Sequence, residues 1–178
     1  IMSITGDPQG PPMKVGVGIA DVMCGMYAAV AILAALRHRD ATGQGQHLDL
    51  ALLDTSLAFL SISGMTYLTT GEVPGRIGNT HPTIVPYQVF PTRDGNVILA
   101  CGNDNLFQKF CKAAGCEHLS ADPRFAKNAG RVEQREVLVP LLEKVFAART
   151  TKEWVALLEE AGVPNGPINS IAQAFAEE

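Results

Sequence analysis

Several common catalytic signatures are missing from this 178-residue sequence. It has no Cys-x-x-Cys pair, no His-Glu-x-x-His, no P-loop, no Gly-x-Gly-x-x-Gly and no Gly-x-Ser-x-Gly elbow. Those absences argue against zinc ribbons, zinc proteases, P-loop NTPases, dinucleotide folds and α/β-hydrolases. Cys24, Cys101, Cys111 and Cys116 follow no zinc spacing and are read as reduced thiols of a cytoplasmic protein. His38, His47, His81 and His118 are scattered, so no metal site is expected. A formal net charge of −4 without a basic cluster argues against a nucleic-acid surface or a polybasic membrane patch. The longest apolar run, Val22 to Leu36, is about fifteen residues against the roughly twenty needed to span a bilayer. Rich in alanine, it reads as a buried helix rather than a membrane span. The first residues are polar and turn-rich, unlike a signal peptide. A chain opening on Ile1 is read as a fragment of something longer.

What is present falls into a clear order. Residues 1–15, with Gly6, Pro8, Gly10, Pro11 and Pro12, form a loop. Gly16-Val-Gly-Ile-Ala-Asp21 then leads into an apolar helix ending in Arg37-His-Arg39, where basic residues suit a helix C-terminus. Being apolar all round, that helix belongs inside a larger body, and its partner surface is expected to lie outside this sequence. After the turn Thr42-Gly-Gln-Gly-Gln46, a short strand is expected at 46–51 and a helix at about 52–68. Residues 69–86 hold three glycines and three prolines and mark a domain boundary. Strands are expected at 87–90 and 96–101 across Asp94-Gly95, a hairpin signal. Helices follow at 104–115, at 130–147 with a kink at Pro140, and at 151–161 with Thr151 as N-cap. An extended loop at 163–168 and a short final helix complete the chain.

Two places can hold chemistry. Asp21 is a carboxylate set between apolar residues and a long apolar helix, with no basic neighbour in sequence. An isolated acid entering a core is costly unless it is paired, capped or used. It is either an N-cap or a nucleophile, and the two are compatible, because helix-start amides also hold a nucleophilic carboxylate ionised and oriented. The loop Arg76-Ile-Gly78-Asn79-Thr80-His81-Pro82 is either a plain linker or a place where backbone approaches a ligand and offers amides to an oxyanion.

Gly18-Ile-Ala-Asp21-Val-Met-Cys-Gly25 and the stretch from Ala34 through Thr42-Gly-Gln-Gly-Gln46 to Asp54 resemble the class III CoA-transferases of the CaiB/BaiF type. The resemblance continues through Gly78-Asn-Thr-His-Pro82, Pro86-Tyr-Gln-Val-Phe, Asp122-Pro-Arg-Phe125, Arg131, Trp154 and Gly162-Val-Pro-Asn-Gly-Pro-Ile168. It implies a mixed α/β fragment. Residues 1–70 would be a helix-strand-helix part of the large domain with the catalytic aspartate, 71–86 a linker and glycine loop, and 87–178 an α+β small domain. Asp21 would be the nucleophile, and Gly78, Asn79, Thr80 and His81 would occupy the place of a substrate loop. Only one glycine stands there, where some members carry a run.

The resemblance further implies coenzyme A thioesters as substrates rather than a permanently bound cofactor, a carboxylic acid as acceptor, and an interlocked homodimer. The residues around Gly78–Gly95 look most like members acting on succinyl-CoA and short dicarboxylic acids. An α-methylacyl-CoA racemase, which shares the fold, and a non-catalytic assembly module are the alternatives. Members are much longer chains, so the fragment alone is expected to be inactive.

Overall fold

The computed structural model describes residues 1–176 and divides the chain into two compact units, Ile1–Gly78 and Asn79–Glu178. The first is helical. After a 3-10 turn at Met2–Ile4 come α1 (Ile19–Thr42), α2 (Leu52–Ala58) and α3 (Ser61–Thr70). Arg76 ties the opening loop to the end of this unit, its guanidinium donating to the carbonyls of Asp7 (3.1 Å) and Gly10 (2.7 Å). Helix α1 ends at Gly43, whose left-handed φ of 72° lets its N–H reach the Arg39 carbonyl, with Arg39 in the last turn.

Three expectations need correction here. Residues 46–51 form no strand, because a ladder needs a second strand and the first unit has none among its described residues. The helix expected at 52–68 is two helices, broken where Ser61 takes a φ of 51°. Helix α1 is not buried in this chain. It runs 24 residues, is long and apolar enough to cross a membrane, and has no buried residue. Core helices of larger soluble bodies pass the same test of length and composition. The element packed against α1 is α2, one side of a helix that is apolar all round. Thr55 is the single buried residue described in this unit.

The second unit holds the hydrophobic core. Its sheet is antiparallel in the order β1 (Tyr87–Pro91), β2 (Asn96–Ala100), β3 (Asn165–Pro167). The Asp94-Gly95 turn closes the β1–β2 hairpin, with Thr92 N–H donating to the Gly95 carbonyl. Alternation turns Phe90, Val97 and Leu99 inward. Against that face pack α4 (Asp104–Ala114), α7 (Arg135–Phe146) and α8 (Thr151–Glu160), with α5 (Glu117–Ala121) and α6 (Asn128–Glu133) at the side and α9 (Ile171–Ala176) closing the chain. Phe146 sits at the middle, 4.6 Å from the Phe90 and Trp154 rings and 5.5 Å from Phe110, while its carbonyl accepts the Trp154 indole N–H.

Helix ends in this unit follow side-chain chemistry. Asn103 caps α4 by accepting the Leu106 N–H. The N-cap of α8 is Thr150, not Thr151, because Glu153 stands three residues after Thr150 and completes a capping box. Thr151 instead binds Asp94, which accepts both its N–H and its hydroxyl. The helix expected over 130–147 is α6 and α7, parted at Gln134, and α7 runs on through Pro140.

Candidate functional site

Asp21 lies in the first turn of α1, but it is not the cap. Gly18 is the N-cap, and the side chain three residues on makes no capping bond. The turn is tight: Ile19 N–H reaches the Val17 carbonyl at 2.9 Å and Val22 N–H the Gly18 carbonyl at 3.1 Å. A β-carbon on Gly18 would stand 3.0 Å from Asp21 Oδ2, so the glycine leaves the space into which this carboxylate folds back. Asp21 is exposed, and no hydrogen bond or ion pair to it occurs among the described residues. The result is an accessible carboxylate held near the positive end of a helix dipole.

The loop residues divide between the units. Gly78, with φ at 63°, ends the first and donates its N–H to the Gly6 carbonyl. Asn79, Thr80 and His81 begin the second, where Thr80 pairs with Gln88 beside β1. His81 donates its N–H to the Tyr87 carbonyl, stacks on the Tyr87 ring at 5.2 Å, and accepts the Thr83 N–H on Nδ1. The Gly78 and His81 amides are therefore committed within the chain. The Asn79 N–H has no acceptor among the described residues. Asp21 and Asn79–His81 thus belong to separate units.

Sequence reasoning missed Asn128 and Arg135, and it named Arg131 only within the resemblance, without its role in holding this segment. Pro82 and Pro86 remove two N–H groups from residues 82–86, so the carbonyls of this irregular segment need donors from elsewhere. Arg135 Nη2 donates to the carbonyls of His81 (2.7 Å) and Pro82 (3.2 Å). Asn128 donates to the Thr83 carbonyl and accepts the Val85 N–H. Arg131, wholly buried, donates to the Val85 and Phe125 carbonyls and to Asp104 Oδ1, and lies 4.5 Å over the Phe107 ring. Asn128 and Arg131 stand three residues apart on α6 and Arg135 opens α7, so the i, i+3 spacing of the first two is the local signal that could have found them.

The charges follow from these contacts. Burial works to raise the Asp104 carboxyl, but bonds from Arg131, Lys127 and the Asn128 amide outweigh it and hold the group below its ordinary range. Desolvation lowers the Arg135 guanidinium, with Glu136 opposing. The Cys101 thiol is pushed up to about 12 by burial, against the pull of Arg131. No group of three or more His, Cys, Asp or Glu able to hold a metal occurs among the described residues. Grooves of about 500 Å³ at Lys109, Lys112 and Leu157, and at Asp94, Thr151 and Gln173, contain none of the candidate residues.

The model of the family described as CoA-transferase family III matches residues 1–178. The chain belongs to that family. It is 44% identical over 176 residues to the succinate–glutarate CoA-transferase of Agrobacterium fabrum, covering 99% of this chain and 44% of that protein. It is 39% identical over 175 residues to the acetyl-CoA:oxalate CoA-transferase of Acetobacter aceti, covering 98% of this chain and 45% of that protein. Among solved structures, a CaiB/BaiF family protein from Brucella suis superposes with a TM-score of 0.80 at 44% identity, over 99% of this chain and 47% of that one. The mixed helical fold with its small sheet is thus a family fold. The chain spans less than half the length of these relatives.

Proposed function

We propose that this chain supplies the nucleophilic carboxylate and the small domain of a CoA-transferase that moves CoA between an acyl-CoA and a short dicarboxylic acid. The observation that carries the reading is Asp21: an exposed carboxylate, without a described partner, at the start of a 24-residue helix in a chain of this family. Relatives named for glutarate and for oxalate support the acceptor class.

The steps follow from carboxylate chemistry. Asp21 attacks the thioester carbonyl, and CoA leaves as thiolate, giving a mixed anhydride. The thiolate then attacks the aspartyl carbonyl, releasing the first acid and leaving an aspartyl-CoA thioester. The incoming carboxylate attacks that thioester, CoA leaves again, and its attack on the new acyl carbonyl restores Asp21. One hard exchange becomes a series of easier ones. The helix dipole at Asp21 favours the carboxylate at the start and end of the cycle. The Asn79 N–H is the loop amide with a donor to offer an oxyanion, and the loop shields the anhydride from water.

The same reading assigns the uncovered apolar sides of α1 to the longer chain and a second copy, in a cytoplasmic homodimer. The 178 residues alone then turn over no acyl-CoA. The test is a chimera in which this chain replaces the matching half of the Agrobacterium fabrum relative, assayed with succinyl-CoA and glutarate. Transfer that Asp21→Ala abolishes is the expected result. Turnover by the isolated chain, or transfer that survives Asp21→Ala, contradicts the reading. Deuterium entering a substrate α-carbon from solvent, without CoA transfer, points to racemase chemistry instead.

A further inference from the structure

We infer that Asn128 and Arg135 are positioning residues for the Asn79–His81 part of the loop, keyed into place by the buried Arg131 and its partly exposed partner Asp104. The inference rests on the functional reading of that loop given above. Its structural basis is independent of it.

Residues 82–86 lie between the loop and β1 and form no helix or strand. The carbonyls of His81, Pro82, Thr83 and Val85 accept from three side chains, Asn128 and Arg131 of α6 and Arg135 of α7. Asn128 also accepts the Val85 N–H, at 3.1 Å. A backbone held this way takes its place from α6 and α7 rather than from its own conformational preference. The anchor is on the other side. Asp104, in the first turn of α4, accepts from the Asn128 N–H at 2.9 Å and from Arg131 Nη2 at 3.0 Å, fixing the start of α6 against α4.

The outer members suit a positioning role. Arg131 is sealed in the core, whereas Arg135 is partly open and spends one nitrogen on two successive carbonyls, the first belonging to His81. His81 in turn holds Tyr87 by its ring and its N–H. Loosening Arg135 or Asn128 therefore frees the loop at its C-terminal root without opening the aromatic core around Phe146.

The test has two arms. In the 178-residue chain, amide hydrogen exchange is followed by mass spectrometry for peptides spanning 79–86. Arg135→Gln and Asn128→Ala each remove two hydrogen bonds to this segment and are expected to speed exchange there about tenfold or more, leaving α4 and α8 unchanged. In the chimera, the ratio of CoA transferred to glutarate against succinyl-CoA hydrolysed is measured. A loosened loop admits water to the anhydride, so both variants shift that ratio toward hydrolysis, and Arg135→Lys, which keeps a donor, recovers part of it. Unchanged exchange in both variants overturns the inference. Faster exchange with an unchanged ratio also overturns it, leaving these residues merely structural. An unaltered chimera that transfers no CoA overturns the functional reading itself, and this inference with it.

Discussion

Replacing Arg131 with methionine removes the best-connected buried group in the second unit while keeping an apolar side chain over Phe107. Three hydrogen bonds and one cation–π contact are lost. The Val85 and Phe125 carbonyls then lack a donor in a region closed to water, about 1–2 kcal/mol each. The ion pair adds less than a fully buried one, because the Asp104 side chain is 31% exposed and keeps its bonds from Lys127 and the Asn128 amide. The sum is a loss of about 3–5 kcal/mol. For a unit of this size that lowers the melting temperature by roughly 15 °C or more. Trp154 is the one tryptophan of the chain and is buried in the second unit, so its fluorescence in a urea titration reports that unit. A pH series gives a second readout. The folded Asp104 carboxyl lies below its unfolded value, so its contribution is present above about pH 4 and is lost as pH falls through the lower folded value. Arg131→Met removes much of that depression and should flatten the acid limb. A loss under about 1 kcal/mol with an unchanged acid limb would refute the account of this network.

Other outcomes follow from single contacts. A β-carbon at Gly130 runs into the Arg124 carbonyl oxygen, so Gly130→Ala should destabilise the second unit by about 1–3 kcal/mol in the same titration. Thr150→Ala breaks the α8 capping box and should cost about 1 kcal/mol, and Glu153→Ala should add little on top of it, the mark of one shared motif. Cys24 is half-buried, whereas Cys101, Cys111 and Cys116 are buried, and burial pushes the Cys101 thiol up to about 12. Iodoacetamide at pH 8 should therefore label Cys24 first in the native chain and all four only in denaturant, as peptide mass mapping will show.

The parts of this fold that were legible in the sequence are those decided by neighbours along the chain. The hairpin declares itself through Asp94-Gly95, and α4 through its acidic start and Gly115. The absent strand at 46–51 was not legible, since a strand is a property of two segments and the alternation of one segment cannot supply the other. The breaks at Ser61 and Gln134 carry no proline or glycine, so nothing local announced them. The α8 cap was readable in principle: between adjacent threonines, only Thr150 has a glutamate three positions on.

The candidate site shows the same division. Asp21 stood out as an acid at a helix start, and its place within that turn followed only once Gly18 was seen to be the cap. The loop was visible as glycine and proline. Its support was hidden, because a donor at 135 and an acceptor carbonyl at 81 are related only by folding.

The central claim is that Asp21 becomes covalently acylated. The chimera is incubated with succinyl-CoA, quenched with hydroxylamine, digested and mapped by mass spectrometry. An anhydride or thioester at Asp21 yields a hydroxamate on the peptide that carries it, and the account predicts that label, dependent on succinyl-CoA and absent in Asp21→Ala. CoA transfer to glutarate with Asp21 unmodified and the hydroxamate on another residue, or on none, would contradict it.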